Sequence, residues 1–529
     1  MININKLSFL LGLTGLIPMN AINSVNPLLK SYAIRAVTIH RKAPRIYLYG
    51  ADTQRAGFKV GDSYSIEKQA SNKCLILKRD PSGDRVVTLK KRGNKELGVI
   101  DLNSHKVIGM FEGLSSVRVL TTKDAIYIQP TDVELRKNER NLQLKTELEN
   151  GVVTTASISH GAGILDYAIH EGLEQGGVIA KLMAANEIRD ELLDNASEFN
   201  PIWNEDTVYL ASPMQELAFD RHVSNMIKPV SILCAGIPCS AASTAGRSAK
   251  GTAFAEQHDQ VGHLIVPFLS LLARFNCAIL VFENVTQYSN TASMAILRTT
   301  LKEWGYNLHE TVIDSSEFNS FEKRRRLCLV AVSEGIEFDF NWLIKPEHKE
   351  QRLGDLLEVV PQGDPRWRDY AAMKEKEVRD IEKGNGFKMQ IYNEDSPSVN
   401  VLTKGIAKIR STDPKIASPY GDGLIREFTP REHALFKGVL YDLVSDMCNT
   451  NQHEALGQSI CTAGFVAVAR DCIAEALRRF AAGSVAKLLK PSTEAVTERP
   501  LAPVVKLKQF AEEAVTAALN YEGQLSLFA

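Results

Sequence analysis

A cysteine lies in a tight turn that follows an apolar, strand-like segment. Ser231–Ala235 leads into Gly236-Ile237-Pro238-Cys239-Ser240, and a loop follows from Thr244 to Glu256. A turn at this place lifts the Cys239 thiol to the edge of a sheet, and an accessible thiolate is a strong covalent nucleophile. A lone Pro-Cys is more often a buried structural cysteine, so the nucleophile interpretation depends on the residues that accompany it.

Charged groups border two further strand-like segments. Ala278–Phe282 ends at Glu283-Asn284-Val285, and Arg324 and Arg326 directly precede Leu327–Val332. A carboxyl group that keeps or shares its proton can hydrogen-bond a ring nitrogen while a thiolate adds to the ring. A guanidinium can hold a carbonyl oxygen or a phosphate. Taken singly, the glutamate also fits a helix cap and the arginines fit a solvated edge.

Small and acidic residues follow the first two segments of the same region. Gly161 and Gly163 come after Val152–Ile158, where they would let the backbone approach a ligand. Glu187 closes Leu182–Asn186, at the position where nucleotide-binding folds carry the acid that binds ribose hydroxyls. The Gly-x-Gly pattern is weak evidence by itself.

Two kinds of pattern divide the chain. After Gly151, apolar strands alternate with helical segments, which predicts a parallel sheet with helices on both faces and ligands at the carboxyl ends of the strands. Before it, short alternating segments broken by Gly, Asp and Asn predict a small β-rich module. The segments of that module are Arg45–Tyr49, Ser63–Glu67, Cys74–Lys78, Arg85–Leu89 and Ala125–Gln129.

Five short motifs resemble, in the same order, those of the DNA cytosine-5 methyltransferase family. They are Pro238-Cys239, Glu283-Asn284-Val285, Arg324-x-Arg326, Thr429-Pro430-Arg431-Glu432 and Gly457-x-Ser459. Five motifs in order are far more specific than any one, and the resemblance covers about Gly151 to Arg479. It implies an α/β fold with a Rossmann-like, doubly wound sheet of the class I methyltransferase type. It also implies S-adenosyl-L-methionine as cofactor and double-stranded DNA as substrate.

The resemblance assigns roles to individual residues. Cys239 would attack carbon 6 of a cytosine flipped out of the duplex, Glu283 would contact N3, and Arg326 would hold O2 with Arg324 beside it. A methyl group would then be transferred to carbon 5. The residues implied in donor binding are Gly161, Gly163, Glu187, Pro238 and Ser459. The residues implied in DNA binding are Ser240, Ser243, Arg247, Lys404, Lys408, Arg410 and Arg431.

Some positions depart from the family pattern. Ser159-His160 replaces an aromatic residue, Ser240 and Glu322 each replace a Gln, and Gln458 replaces an Asn. These departures concern mainly the donor pocket, and two alternatives stay open. One is a nonenzymatic DNA-binding regulator that retains the fold, and the other is an enzyme that acts on RNA cytosine or transfers a modified one-carbon group.

Basic residues are concentrated near the amino terminus. The formal net charge of the chain is −1, yet Ser24–Pro130 holds 19 Lys and Arg against 9 Asp and Glu. A basic module on a near-neutral chain favours a polyanionic partner, with a solvated surface as the alternative. Ile46–Tyr49 followed by Ala56–Asp62 resembles the swapped-hairpin DNA-binding modules of the AbrB type, which implies a homodimer.

The chain ends in a short apolar peptide after a stretch rich in Pro, Thr, Ala and Lys. Residues 524–528 resemble the motif with which bacterial proteins dock on the replicative sliding clamp. A frayed apolar end is the alternative. The anchors of this motif are Gln524, Leu525, Leu527 and Phe528. We therefore expect a nucleoid-associated protein of the bacterial or phage-infected cytoplasm, acting in a modification system.

Other site classes find no support in the sequence. The eight cysteines show no CxxC pair and no zinc-type spacing, which favours reduced thiols and no metal site. No apolar run approaches the ~20 residues that span a bilayer, so no membrane partner is expected. The predicted domains are the basic module 1–130, a linker 131–150, the catalytic domain 151–340, a variable target-recognition region 341–426, the return of the catalytic domain 427–480 and a tethering tail 481–529.

Overall fold

The computed structural model describes most of the chain, namely residues 29–40, 43–69, 73–222, 226–238 and 254–484. Several predicted site residues lie outside these ranges: Cys239, Ser240, Ser243, Arg247, Gln524, Leu525, Leu527 and Phe528. Within the described ranges, no helix combines the length and the apolarity that a membrane crossing requires.

The amino-terminal module consists of ten strands and two short helices. The strands are β1 Ser31–Ala36, β2 Thr38–His40, β3 Ala43–Tyr49, β4 Ser63–Gln69, β5 Cys74–Arg79, β6 Arg85–Val86, β7 Thr88–Arg92, β8 Lys95–Leu102, β9 Ser116–Thr121 and β10 Ala125–Pro130. The helices are α1 Ala51–Arg55 and α2 His105–Ile108. One sheet has the order β1-β9-β10-β5-β4-β6 and the other β2-β3-β8-β7, and apolar side chains of both share one core.

Four of the five segments predicted for the module each lie within one strand. The fifth, Arg85–Leu89, is divided between the two strands β6 and β7. Val87 separates β6 from β7 because its N–H donates to the Asp62 carbonyl while its own carbonyl accepts from Gly61. The side chain of Val87 is 1% exposed. The sequence pattern does not predict β8, because Gly98 interrupts the alternation of apolar and polar residues. Glycine is favoured at this position, since a Cβ there would lie 3.0 Å from the Val87 side chain.

The segment predicted as a linker is the helix α3, Asp132–Asn150. Thr131 caps its start by accepting a hydrogen bond from the Glu134 amide. Arg140 is 2% exposed and donates to Ser333 Oγ at 2.8 Å. Its guanidinium also lies 3.9 Å from the centre of the Tyr306 ring. The helix therefore packs against the domain that follows it.

Among the described residues, the central sheet has seven strands and is flanked by five α-helices. The strands are β11 Val152–Ile158, β12 Ile179–Glu187, β13 Val208–Ala211, β14 Ile232–Ala235, β15 Ile279–Val285, β16 Tyr306–Asp314 and β17 Arg325–Ser333. The helices are α4 Ile164–Gln175, α5 Asp190–Phe199, α6 Met214–Phe219, α7 Ile265–Phe275 and α8 Ala292–Glu303. The order is β13-β12-β11-β14-β15-β17-β16, in which only the pairings of β17 are antiparallel.

This arrangement confirms the predicted fold class of a Rossmann-like, doubly wound α/β sheet. The prediction of a parallel sheet is wrong for β17, which runs antiparallel to both of its neighbours. The strands are buried on both faces, since Cys234 and Val281 belong to one apolar cluster while Leu233 and Leu280 belong to the other. The strand order reverses between β11 and β14. Such a reversal opens a crevice at the carboxyl ends of the strands, where ligands bind in these folds.

The predicted target-recognition region has little regular structure. It contains α9 Ala371–Glu382, β18 Ile391–Tyr392, β19 Lys415–Ala417 and β20 Ile425–Arg426, with a small apolar core of its own. The charged sequence from Asp355 to Lys383 predicts a helix along its whole length. The structure has a helix only in the second half, Ala371–Glu382, so this prediction is wrong for residues 355–370. Pro361, Gly363 and Pro365 prevent continuous helix there.

The chain then returns to the sheet through four helices and one π-helical turn. They are α10 Pro430–Phe436, α11 Asn449–Gln458, α12 Thr462–Ala467, the π-helix Val468–Ile473 and α13 Ala474–Ser484. α12 lies against α4 at Gly172, where a Cβ would be 2.3 Å from the Val466 carbonyl oxygen. Only glycine fits this contact, which holds the returning segment against the sheet.

Candidate active site

The turn after β14 is tied to the end of β15. Asn284 Nδ2 donates to the Ile237 carbonyl oxygen at 3.1 Å, and this contact is buried. Pro238 is the last described residue before Cys239. The turn that precedes Cys239 and the Glu-Asn-Val motif therefore lie together at one edge of the sheet.

Glu283 and Arg326 form an ion pair beside that turn. The register pairs Glu283 with Cys328 and Val285 with Arg326, so the two charged side chains lie diagonally on the same face. Arg326 Nε is 2.8 Å from Glu283 Oε1, and the two side chains are 12% and 13% exposed. Glu283 Oε2 is 3.5 Å from where a Cβ on Gly236 would stand, so the carboxyl group borders the turn that leads to Cys239.

The protonation of Glu283 is shifted by its surroundings. Burial raises the pKa of the Glu283 carboxyl, and the positive charges of Arg326, Arg324 and Lys437 offset this only in part. A raised pKa increases the fraction of the neutral acid, which can donate a hydrogen bond as well as accept one. The group is thus suited to hydrogen-bond a ring nitrogen.

Arg324 lies in a different environment from Arg326. It is 4% exposed, its Nη1 donates to Glu322 Oε1 at 2.8 Å, and its Nη2 donates to the Gly457 carbonyl at 2.5 Å. The Arg324 guanidinium is hydrogen-bonded to both partners, and its bond to Gly457 connects the start of β17 to α11. A direct contact between Arg324 and substrate stays a prediction.

Glu322 is the centre of a group of fully buried ionisable side chains. Lys437 Nζ lies 3.4 Å from both carboxylate oxygens of Glu322, and His433 Nε2 lies 3.8 Å from Oε2. We call Glu322, Arg324, His433 and Lys437 the buried charge cluster. Burial and the neighbouring Arg324 lower the pKa of Lys437 to about 8, although Glu322 opposes the shift. The cluster joins the strand of the arginine pair to the Thr-Pro-Arg-Glu helix.

The acid at the end of β12 holds the loop that follows β11. Glu187 Oε2 accepts a hydrogen bond from the Gly161 amide at 2.9 Å, and Oε1 accepts from the amides of Ile188 and Arg189. Gly161 has φ 58°, and no atom lies within 4 Å of where its Cβ would stand. The backbone therefore borders open space next to a carboxylate. This arrangement fits the implied cofactor, whose ribose hydroxyls and methionine group need such partners.

Gly163 has a packing role in the same loop. A Cβ on it would lie 2.3 Å from Asn200 Nδ2 and 2.5 Å from His160 Nε2. His160 is buried, with its Nδ1 3.0 Å from Asp166 Oδ2 and its Nε2 accepting from Trp203 Nε1 at 3.2 Å. The histidine that replaces the family's aromatic residue is therefore held from both sides and supports the loop.

The Gly-x-Ser motif closes α11. Ser459 Oγ donates to the carbonyls of Leu456 and Ile460, at 2.8 and 3.1 Å. A Cβ on Gly457 would lie 2.1 Å from the Lys404 amide nitrogen, so glycine is required where the helix meets the recognition region. The predicted contact of Ser459 with the donor stays a prediction.

The predicted DNA contacts that the structure describes are exposed cations. Lys404, Lys408, Arg410 and Arg431 are all solvent-exposed, and none forms an ion pair with a carboxylate of the described chain. Their ammonium and guanidinium groups are thus accessible to an anionic ligand. The Arg410 carbonyl accepts a hydrogen bond from the buried Lys415 at 2.8 Å, which supports the loop from below.

Sequence reasoning missed several residues of this region. Asn284 belongs to a motif that was identified, but its hydrogen bond to the turn was not foreseen. In the sequence, Lys437 and His433 cannot be distinguished from surface residues of a helix. Glu432 does have a sequence signal, because Thr429 and Glu432 form a capping box. Glu432 also holds Arg426 through two buried hydrogen bonds.

The sequence of this chain is similar to those of known methyltransferases. Type II methyltransferase M.MspI of Moraxella sp is 26% identical over 234 residues, which are 43% of this chain and 52% of that protein. Type II methyltransferase M.NgoBI of Neisseria gonorrhoeae is 30% identical over 155 residues, which are 29% of this chain and 46% of that protein. The chain thus spans about half the length of these curated relatives.

The crystal structure of the S. pombe Dnmt2 methyltransferase aligns with a TM-score of 0.47 at 15% identity, covering 62% of this chain and 99% of that one. The sequence model of C-5 cytosine-specific DNA methylases matches residues 155–474, more than half of the chain. The match includes the central sheet from Thr155 of β11 onwards and all five ordered motifs. The chain therefore belongs to the C-5 cytosine-specific DNA methylase family.

Proposed function

We propose that this protein transfers a methyl group from S-adenosyl-L-methionine to carbon 5 of a cytosine in double-stranded DNA, with Cys239 as the covalent nucleophile. The observation that carries the proposal is the Glu283–Arg326 pair, which lies at the carboxyl edge of the sheet beside the turn to Cys239. Family membership supports the class of reaction.

The chemistry explains why a thiol and an acid are needed together. Carbon 5 of cytosine becomes nucleophilic only after a nucleophile adds to carbon 6. The Cys239 thiolate bonds to carbon 6 while the neutral Glu283 acid donates its proton towards N3, and the electron pair moves to carbon 5. Carbon 5 would then bond to the methyl carbon while the bond from this carbon to the donor's sulfur breaks, and the demethylated donor would leave as a thioether. Loss of the carbon 5 proton to solvent and of the Cys239 thiolate restores the double bond between carbons 5 and 6, and the proton on N3 returns to Glu283.

Arg326 has two partners in this scheme. Its guanidinium holds the Glu283 carboxyl group in place and also hydrogen-bonds O2 of the flipped base. The side chain is mostly buried, which strengthens both contacts because little water competes for them. Arg324, whose guanidinium is already occupied, positions the strand from which Arg326 extends.

The donor is bound at the neighbouring strand ends. Glu187 and the Gly161 backbone would hold its ribose and methionine parts, while Gly163, Pro238 and Ser459 shape the walls of the pocket. S-adenosyl-L-methionine supplies an electrophilic methyl group on sulfur when bound. The exposed cations of the recognition region contact DNA phosphates, so affinity for DNA falls as salt rises.

The decisive experiment uses methyl-labelled donor, unmodified duplex DNA and identification of the labelled nucleoside. Label in 5-methylcytosine with the native protein, and none with Cys239→Ala, is the expected result. Cys448→Ala is the matched control, because Cys448 is an exposed thiol that the scheme does not use. DNA binding without transfer would replace the proposal with a nonenzymatic regulator. RNA is offered as a substrate in a parallel reaction, and label in that RNA with none in DNA would replace the substrate.

The biological setting of the proposal is a bacterial or phage modification system. Five motifs in order and the similarity to type II methyltransferases support it. The terminal peptide Gln524–Phe528, which lies outside the described residues, docks the enzyme on a sliding clamp in this proposal. Deletion of residues 524–529 should abolish binding to the clamp in a pull-down and leave methyl transfer unchanged. Unchanged clamp binding would refute the docking.

A further inference from the structure

The outward face of the four-stranded sheet in the amino-terminal module is basic and aromatic. Strand alternation directs Ile46 and Leu48 into the core and the residues between them outwards. The β3–β8 and β7–β8 registers put the outward side chains of three strands on one surface. We call this surface the basic sheet face, and it is defined by Arg45, Tyr47, Tyr49, Lys90, Arg92 and Lys95.

Charges on this face are not balanced within the module. Asp101 is the one acid at the outward positions of β3, β7 and β8, and Arg45 binds it through two hydrogen bonds of 2.8 Å. Among the residues that the structure describes, Lys90, Arg92 and Lys95 form no ion pair with a carboxylate. The face therefore keeps three unneutralised positive charges.

Two of these charges oppose each other directly. Arg92 pairs with Lys95 across the β7–β8 ladder, an arrangement of like charges that destabilises a hairpin. On the other side of the same hairpin, Lys91 pairs with Glu96, which are complementary. At these two adjacent ladder positions, like charges therefore face each other only on the outward side. A bound anion on that side would relieve the repulsion between Arg92 and Lys95.

Tyrosine rings orient the third cation. Lys90 Nζ lies 5.1 Å from the centre of the Tyr47 ring and 5.0 Å from that of Tyr49. Such cation–π contacts hold an ammonium in place without neutralising it. Lys90 and Arg92 are two residues apart on one strand, about 6.6 Å, a spacing similar to that of successive phosphates along a nucleic-acid strand.

A cavity of about 680 Å³ continues the face at one end. Tyr49, Arg92 and Lys95 line it together with Arg35 and Asp52, which bind each other. Backbone phosphate and sugar groups would fit a cavity of this size and positive charge. Tyr and Arg side chains are common phosphate contacts in protein–DNA complexes.

We propose that the basic sheet face binds the phosphate backbone of duplex DNA as a second contact surface, outside the catalytic domain. The inference rests on the proposed function in one respect, which is that DNA is the substrate. It adds a surface that the ordered motifs do not include, and it explains why the net positive charge of the β7–β8 hairpin lies on one of its two sides.

The test compares neighbouring lysines of opposite orientation. Equilibrium binding of a short duplex is measured over a range of salt concentrations, without donor, for native protein, Lys90→Glu and Lys91→Glu. Lys90→Glu should weaken binding and reduce the slope of log affinity against log salt by about one, as for one lost phosphate contact. Lys91→Glu, with the same charge change on the opposite side of the strand, should bind like the native protein.

A second variant separates binding from folding. Arg92→Glu replaces the like-charge pair with a complementary one, so the module should melt at a higher temperature while duplex affinity falls. Equal weakening by Lys90→Glu and Lys91→Glu, or no weakening by Lys90→Glu, would overturn the proposal. The proposal would also be overturned if the native protein bound single-stranded DNA more tightly than duplex DNA and Tyr49→Leu removed this preference. That result would indicate stacking of bases on the tyrosine ring. These experiments measure DNA binding and not methyl transfer, so they test the basic sheet face even if the proposed methyltransferase activity is absent.

Discussion

Replacing Glu322 with Gln should destabilise the catalytic domain through two buried cations. The carboxylate is fully buried and contacts both Arg324 and Lys437. Without this negative charge, the pKa of Lys437, which burial already lowers to about 8, falls further, and the ammonium loses its proton more readily. Each unit of pKa corresponds to about 1.4 kcal/mol. The weakened hydrogen bond to Arg324 costs about 2 kcal/mol more, since it loses its ionised acceptor.

The expected loss of unfolding free energy is therefore about 3 kcal/mol, at the lower end of the range for breaking a buried ion pair. Urea denaturation followed by tryptophan fluorescence would measure it. Glu317→Gln is the matched control, because Glu317 pairs with Lys345 on the surface and should lose less than about 1 kcal/mol.

The double variant Glu322→Gln, Lys437→Gln tests the reasoning itself. Two amides can hydrogen-bond without a charge to bury, so the double variant should be more stable than Glu322→Gln alone. Equal losses in Glu322→Gln and Glu317→Gln would refute the buried charge cluster as an electrostatic unit. So would a double variant whose losses simply add.

Three further predictions follow from individual contacts. Glu187→Gln should weaken donor binding about tenfold or more in calorimetry, because it replaces an ionised acceptor by a neutral one, and unchanged affinity would remove Glu187 from the pocket. Gly457→Ala should cost about 1–3 kcal/mol of thermal stability, because its Cβ would clash with the Lys404 backbone, and a melting temperature equal to native would contradict the contact. Burial lowers the pKa of His453 to about 4, so the unfolded chain binds more protons below about pH 6.5 and stability is lost as pH falls. His453→Gln should lose about 2 kcal/mol less than native protein between neutral pH and about pH 5, and parallel pH curves in urea denaturation would exclude this contribution.

Much of the central sheet could be predicted from the sequence because its strands are buried on both faces. Such strands are rich in apolar residues, as in Ile279–Phe282 of β15, and β11 has the predicted bounds, Val152–Ile158. Parallel strands also bring their carboxyl ends to one edge, so the proximity of Glu283 to the turn before Cys239 follows from order alone. Local patterns were less informative for β8 and for residues 355–370, where glycine and proline break the periodicity.

Only the tertiary structure decided which charged residues are buried and which face they share. Glu322 and Lys437 are far apart in sequence, and a lysine at a helix end usually lies in water. The fold removes both from solvent, which makes them depend on each other. Likewise, alternation along β7 predicts two sides for Lys90 and Lys91, but only the register with β8 opposes Arg92 to Lys95. The composition of the amino-terminal module shows an excess of positive charge. Strand pairing determines on which surface these positive charges lie without an acidic partner.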